Sequence, residues 1–239
     1  MTYVAGTLSR SAARGASGHG STRLWRGESE RRKPAKILAG DLSGSLETKF
    51  PRNPEIRFLN EMRPVLYDQK WFKSVKNPEK IDVYYVYRRL KRKKNLRYDI
   101  TVIPSKMLGR EFPKTKGHSH SNVQELVWVL EGKALYFAQK SKGNYVEDCY
   151  VIEAKKGDLL IIPIGYDHLT INPSKNKLIM ANWISEKAKY NYSLFDHFQG
   201  ACYYYTKKGW IKNKNYKTIP KLRFQKPLKS MPRDLGFLK

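Results

Sequence analysis

Between residues 82 and 212 the chain is cut into short aromatic and β-branched runs about ten residues apart, with Gly, Pro and Asn filling the gaps. The runs fall at 82–87, 98–103, 124–130, 134–139, 159–162, 178–184, 200–205 and 210–212, and Glu131-Gly132 and Gly157-Asp158 supply turns between them. Many short strands at this spacing, with no helix-length pattern alternating between them, point to an all-β barrel or sandwich and away from a parallel α/β sheet. Before them, residues 50–77 are punctuated by Pro51, Pro54 and Pro64 and carry one expected short helix around 56–62.

Residues 1–45 are rich in Ser, Gly, Ala and Arg with few large apolar side chains, which reads as a disordered leader. Its Arg- and Ser-rich, acid-poor character is that of an organellar transit peptide, but no amphipathic stripe follows, and a misassigned start is the alternative. His19, flanked by glycines, is expected to have no role. One domain over 46–227 and a tail over 228–239 complete the expected organisation. A chain of 239 residues buries a core of this size without disulfides. Cys149 and Cys202 have no C-x-x-C spacing, so neither a disulfide framework nor a zinc finger is indicated. A reducing, cytoplasmic compartment is expected, and no apolar run approaches the roughly 20 residues of a membrane helix.

The formal charge is +26. Seven of the ten residues 88–97 are basic, and 197–233 carry ten Lys or Arg with no carboxylate. Tyr203, Tyr204, Tyr205, Trp210 and Tyr216 interleave with the second cluster, a pattern open to single-stranded nucleic acid by stacking. A solvated basic rim, or one that attracts anionic sugar phosphates, is the favoured reading.

The chemistry concentrates in T-K-G-H-S-H-S-N-V-Q-E-L-V-W-V-L-E-G, Thr115 to Gly132. Residues two apart on a strand share a face, so His118 and His120 present two imidazoles side by side, and Glu125 returns a carboxylate from the adjoining strand. A fourth ligand, His168, comes from G-D-L-L-I-I-P-I-G-Y-D-H-L-T-I-N, where glycines and Pro163 shape the turn before it. Imidazoles plus a carboxylate suit one divalent ion such as iron, manganese, nickel or zinc, with positions left open for substrate oxygens. His197 has no matching partner and is expected to be structural or exposed.

These two segments resemble the motifs of the cupin superfamily. The second, G-x5-P-x-G-x2-H-x3-N, matches in full at Gly157, Pro163, Gly165, His168 and Asn172; the first, H-x-H-x4-E-x6-G, matches at His118, His120, Glu125 and Gly132. The family's glycine six residues before the first histidine is replaced by Phe112. The resemblance implies a cupin, or jelly-roll, β-barrel with short flanking helices and extra strands.

The run Y-D-I-T-V-I-P from Tyr98, then K-T-K-G-H-S-H and the late A-N-W around Asn182, is similar to the cupin, archaeal-type glucose-6-phosphate isomerase family over about residues 50–225. That resemblance implies a metal-dependent homodimer of glycolysis and gluconeogenesis that interconverts glucose 6-phosphate and fructose 6-phosphate. It implies a phosphate site at Thr101, Thr115 and the backbone of Gly117, with Lys116 a weaker contributor, and a role for Tyr192, with Tyr190 behind it. Glu125, beside the metal, is a candidate base for proton transfer between C2 and C1; a direct hydride shift is the other route. Val127 stands where several members carry tyrosine, and some members have two more residues between the second histidine and the glutamate. The alternatives are another metal-dependent cupin enzyme, a mannose-6-phosphate isomerase or an oxygenase, and a non-catalytic nucleic-acid-binding protein.

Overall fold

The computed structural model describes residues 53–238, so the expected leader and His19 lie outside the described residues. The first strand, β1 (Glu55–Phe58), pairs with β2 (Asp82–Lys93), and the helix expected around 56–62 is confined to α1 (Leu59–Met62). Residues 56–58 are strand because β2 offers an open edge, a partner that local sequence does not reveal. A short helix, α2 (Gln69–Ser74), lies between them; the Asp68 carboxylate caps it by accepting the Trp71 N–H at 3.1 Å.

The remaining strands are β3 (Leu96–Ile103), β4 (Ser119–His120), β5 (Glu125–Glu131), β6 (Lys133–Lys142), β7 (Tyr145–Lys155), β8 (Leu159–Ile162), β9 (Asp167–Ile171) and β10 (Leu178–Ser185). After them come β11 (Tyr190–Asn191), helix α3 (Ser193–His197), β12 (Tyr203–Thr206), β13 (Gly209–Lys212) and β14 (Arg223–Gln225). A six-stranded antiparallel sheet runs β1-β2-β3-β10-β5-β8 and a four-stranded sheet runs β14-β7-β6-β9; β4 with β11 and β12 with β13 form two small ribbons. The topology is β-rich and cupin-like. Every residue of β3 is buried, which requires cover on both faces.

Side chains from both sheets meet in one core that includes Val127 and Val129 from β5, Phe137 from β6, Val151 from β7 and Leu169 from β9. Fully burying such a side chain contributes roughly 1.5–3 kcal/mol. Tyr203, Tyr204 and Tyr216 belong to this interior, while Tyr205 stacks on Phe112 and packs against Trp210. Tyr203, Tyr204 and Tyr216 are therefore interior packing, while Tyr205 and Trp210 are half-buried against the core. Cys149 and Cys202, far apart in sequence, are buried as free thiols beside each other. Among the described residues no helix is long and apolar enough to cross a membrane.

Candidate metal centre and cavity

His118 and His168 reach each other through a backbone bridge between the strand entering β4 and β9, with the His168 N–H bonded to the His118 carbonyl at 2.8 Å and the His118 N–H to the His168 carbonyl at 3.0 Å. Gly117, directly before His118, holds φ at +82°, and a Cβ there would fall 2.6 Å from the Phe195 ring and 2.9 Å from the His168 carbonyl. Only glycine allows the chain to enter β4 at this angle. Opposite, Glu125 starts β5 on the other sheet.

The four side chains converge. His118 Nε2 lies 3.1 Å from His120 Nε2, Glu125 Oε2 lies 3.4 Å from His120 Nε2 and 3.3 Å from His168 Nε2, and one ligand atom from each of the four falls within 4.8 Å of the others. Donors about 2.0–2.2 Å from a shared ion stand roughly 2.8–3.6 Å apart, so the three short separations fit one divalent ion. Electrostatics fit as well. Burial, reinforced by His168 and His120, pushes the His118 imidazole well below its usual range, which leaves it neutral with a lone pair to donate. Burial works to raise the Glu125 carboxyl, but hydrogen bonds from His120 and His168 outweigh it and hold Glu125 ionised. The cluster supports a single divalent-metal cofactor.

The cluster borders a cavity that opens to solvent. Thr101 and Thr115 line it; the Thr115 Oγ1 accepts the Thr170 N–H at 3.0 Å. Gly117, expected with them as a phosphate contact, is not among the lining residues. Tyr190 and Tyr192 line the cavity too, stacked with ring centroids 6.5 Å apart and standing 4.7 and 5.6 Å from the His118 ring. Lys116 is turned away into an ion pair with Asp196 at 2.9 Å, where its ammonium lies over the Tyr192 ring. His197 is exposed at the end of α3 and edges onto Phe198.

Several lining residues escape a reading of the sequence. Arg88 sits in a run that reads as a solvated rim, yet a β-bulge between Tyr87 and Lys91 turns it toward Asp99, and Arg89, at φ +55°, donates its N–H to Asp99 Oδ1 at 2.8 Å. Arg97 pairs with the same carboxylate at 2.9 Å, and both guanidiniums reach the Tyr190 hydroxyl. Arg57, Tyr84, Tyr136 and Asn182 also line the cavity. Alternation places such residues on a face, but only the cross-strand register says that the face is the cavity wall.

The glucose-6-phosphate isomerase family model matches residues 56–221. The glucose-6-phosphate isomerase of Thermococcus litoralis is 29% identical over 142 residues, covering 57% of this chain and 72% of that protein. That of Pyrococcus abyssi is 30% identical over 129 residues, covering 52% of this chain and 66% of that protein; for Pyrococcus furiosus the figures are 29%, 49% and 62%. The chain thus spans between about three-fifths and three-quarters of these relatives' lengths. Among solved structures, oxalate oxidase in complex with the substrate analogue glycolate aligns over 46% of this chain and 54% of that chain at 16% identity and a TM-score of 0.38. With the family model covering most of the chain and the cupin motif residues gathered into one cluster, the chain belongs to the archaeal-type glucose-6-phosphate isomerase family of the cupin superfamily.

Proposed function

We propose that the chain interconverts glucose 6-phosphate and fructose 6-phosphate with one divalent ion held by His118, His120, Glu125 and His168 inside a closed cupin barrel. The carrying observation is that a cluster of three imidazoles and a carboxylate borders a cavity whose walls also hold Thr101, Thr115 and Tyr192. Bound there, the ion supplies Lewis-acid stabilisation of negative charge developing on the substrate oxygens at C1 and C2.

The chain's own groups do the rest. Thr101 and Thr115 anchor the phosphate by hydrogen bonds and fix the distance from it to the reacting end. Tyr192, its ring held between Tyr190 and the Lys116 ammonium, hydrogen-bonds the sugar. Glu125 is a ligand and the candidate base for carrying a proton between C2 and C1, a direct hydride shift being the other route. Arg88, beside the mouth, adds positive potential for a dianionic substrate. We assign the chain to the cytoplasm as a homodimer.

Purified protein supplied with iron, manganese or nickel is expected to turn fructose 6-phosphate into glucose 6-phosphate in a coupled dehydrogenase assay. No turnover with any of these metals would sink the reading. Running the reaction in D2O separates the two routes. Proton transfer through Glu125 incorporates deuterium into product, whereas a direct hydride shift leaves the product unlabelled.

A further inference from the structure

Two polar side chains inside the cavity have no proper partner in the protein. Asn182, on β10, is 7% exposed and lines the cavity, and among the described residues its amide makes no hydrogen bond. Tyr136, on β6, is 3% exposed and lines the same space; its hydroxyl has only the thioether sulfur of Met180, 3.5 Å away. The Asn182 amide keeps access to the cavity and the Tyr136 hydroxyl has only a weak sulfur acceptor, so both groups are free to hydrogen-bond a ligand that displaces the cavity water.

Their position says which part of a ligand. Met180 and Asn182 are two apart on β10 and share a face. Met180 stands beside Thr101 of β3, Asn182 beside Asp99 of β3 and Val127 of β5, and Ile184 beside Glu125. Asn182 therefore lies between the row of Thr101 and the row of the metal ligand Glu125. Tyr136, from the opposite sheet, reaches across to the same patch at Met180. An open-chain hexose phosphate with its phosphate at Thr101 and its C1–C2 end at Glu125 passes over this patch with its middle carbons.

We infer that Asn182 and Tyr136 bind the C3 and C4 hydroxyls of the sugar and set the enzyme's discrimination among sugar phosphates. This rests on the isomerase reading above. The Asn182 amide both donates and accepts, and the phenol does likewise, so together they read hydroxyl configuration rather than charge. A site built to hydrogen-bond a hydroxyl rejects the analogue that lacks it.

The test uses metal-loaded full-length protein with Asn182→Leu and Tyr136→Phe, each removing the polar group at similar volume. Each is expected to raise KM for fructose 6-phosphate roughly tenfold, with metal content unchanged. The Asn182→Leu thermal midpoint should stay level or rise, because an unpartnered amide leaves the interior. Analogues of the substrate lacking the C3 or the C4 hydroxyl provide a second readout. With one of them, wild type and variant should show the same KM, because the lost contact is already absent. Unchanged KM in both variants, equal penalties on every analogue, or loss of metal would each overturn the inference. Wild-type turnover separates the two readings. Its absence overturns both, whereas turnover with undiminished affinity in the variants overturns this one alone.

Discussion

His168 Nε2 and Glu125 Oε2 stand 3.3 Å apart although they belong to different sheets, His168 to β9 of the four-stranded sheet and Glu125 to β5 of the six-stranded one. The candidate metal centre is thus a cross-link between the two sheets as well as a reaction site. An ion bound there holds them together, so it stabilises the fold by mass action.

Chelation is expected to abolish turnover and lower the thermal midpoint, and added metal should restore both. At a hundredfold excess over the dissociation constant the stabilisation amounts to about 2.7 kcal/mol. His118→Ala should lose bound metal and activity together. If Glu125→Gln retains metal by elemental analysis and still loses activity, its carboxylate serves chemistry beyond ligation.

Gly117→Ala places a methyl against the Phe195 ring and the His168 carbonyl at a backbone angle that L-residues rarely adopt. A loss of about 1–3 kcal/mol is expected, read as a lower midpoint in denaturant. Activity should fall as well, because the same shift moves His118. A variant as stable and active as wild type would show that the β4 entry tolerates a side chain.

Lys114 and Glu111 form a buried pair at 2.6 Å, with the ammonium also bonded to the Val65 carbonyl at 2.8 Å and the carboxylate to the Tyr67 N–H at 2.6 Å. Lys114→Met leaves Glu111 buried without its cation and should cost about 3–5 kcal/mol. The double variant Glu111→Leu with Lys114→Met should recover part of that loss, since no buried charge is left and only the Tyr67 N–H and the Val65 carbonyl lose their partners. A double-mutant cycle in urea unfolding measures the coupling.

Asp68 caps α2 and accepts from Arg110 Nε at 2.8 Å, and the Arg110 hydrogen bond holds its carboxyl below the ordinary value of 3.8. A folded-state pKa below the unfolded one gives stability that is present above pH 3.8 and lost as pH falls through the folded value. Arg110 is largely exposed, so screening keeps the gain modest, about 1 kcal/mol for the cap. Asp68→Ala should therefore be less stable than wild type at neutral pH, and the gap should close below about pH 4. A gap that stays constant with pH would assign the effect to helix propensity alone.

The sequence by itself determined the candidate metal-ligand set, the strand-rich class and the family. His118, His120, Glu125 and His168 sit at motif spacings, and spacing on a strand fixes the face a side chain takes. The expected strands 98–103, 124–130 and 178–184 coincide with β3, β5 and β10 to within two residues at each end. The eleven-residue strand β7 passed unnoticed because Glu147, Asp148 and Glu153 break its apolar pattern. Its register against β6 forms it instead.

Only the tertiary structure decided what each face looks at. Arg88 and Arg97 read as surface charge until a bulge and a neighbouring strand turn them onto Asp99. The C-terminal basic segment reads chiefly as a solvated rim, yet Tyr203, Tyr204 and Tyr216 within it pack inside. Asn182 and Tyr136 acquire meaning only when β10 and β6 bring them to one cavity. The physical reason is common to all three. Local periodicity is a property of the chain, whereas register, bulges and the satisfaction of buried polar groups depend on residues that meet only after folding.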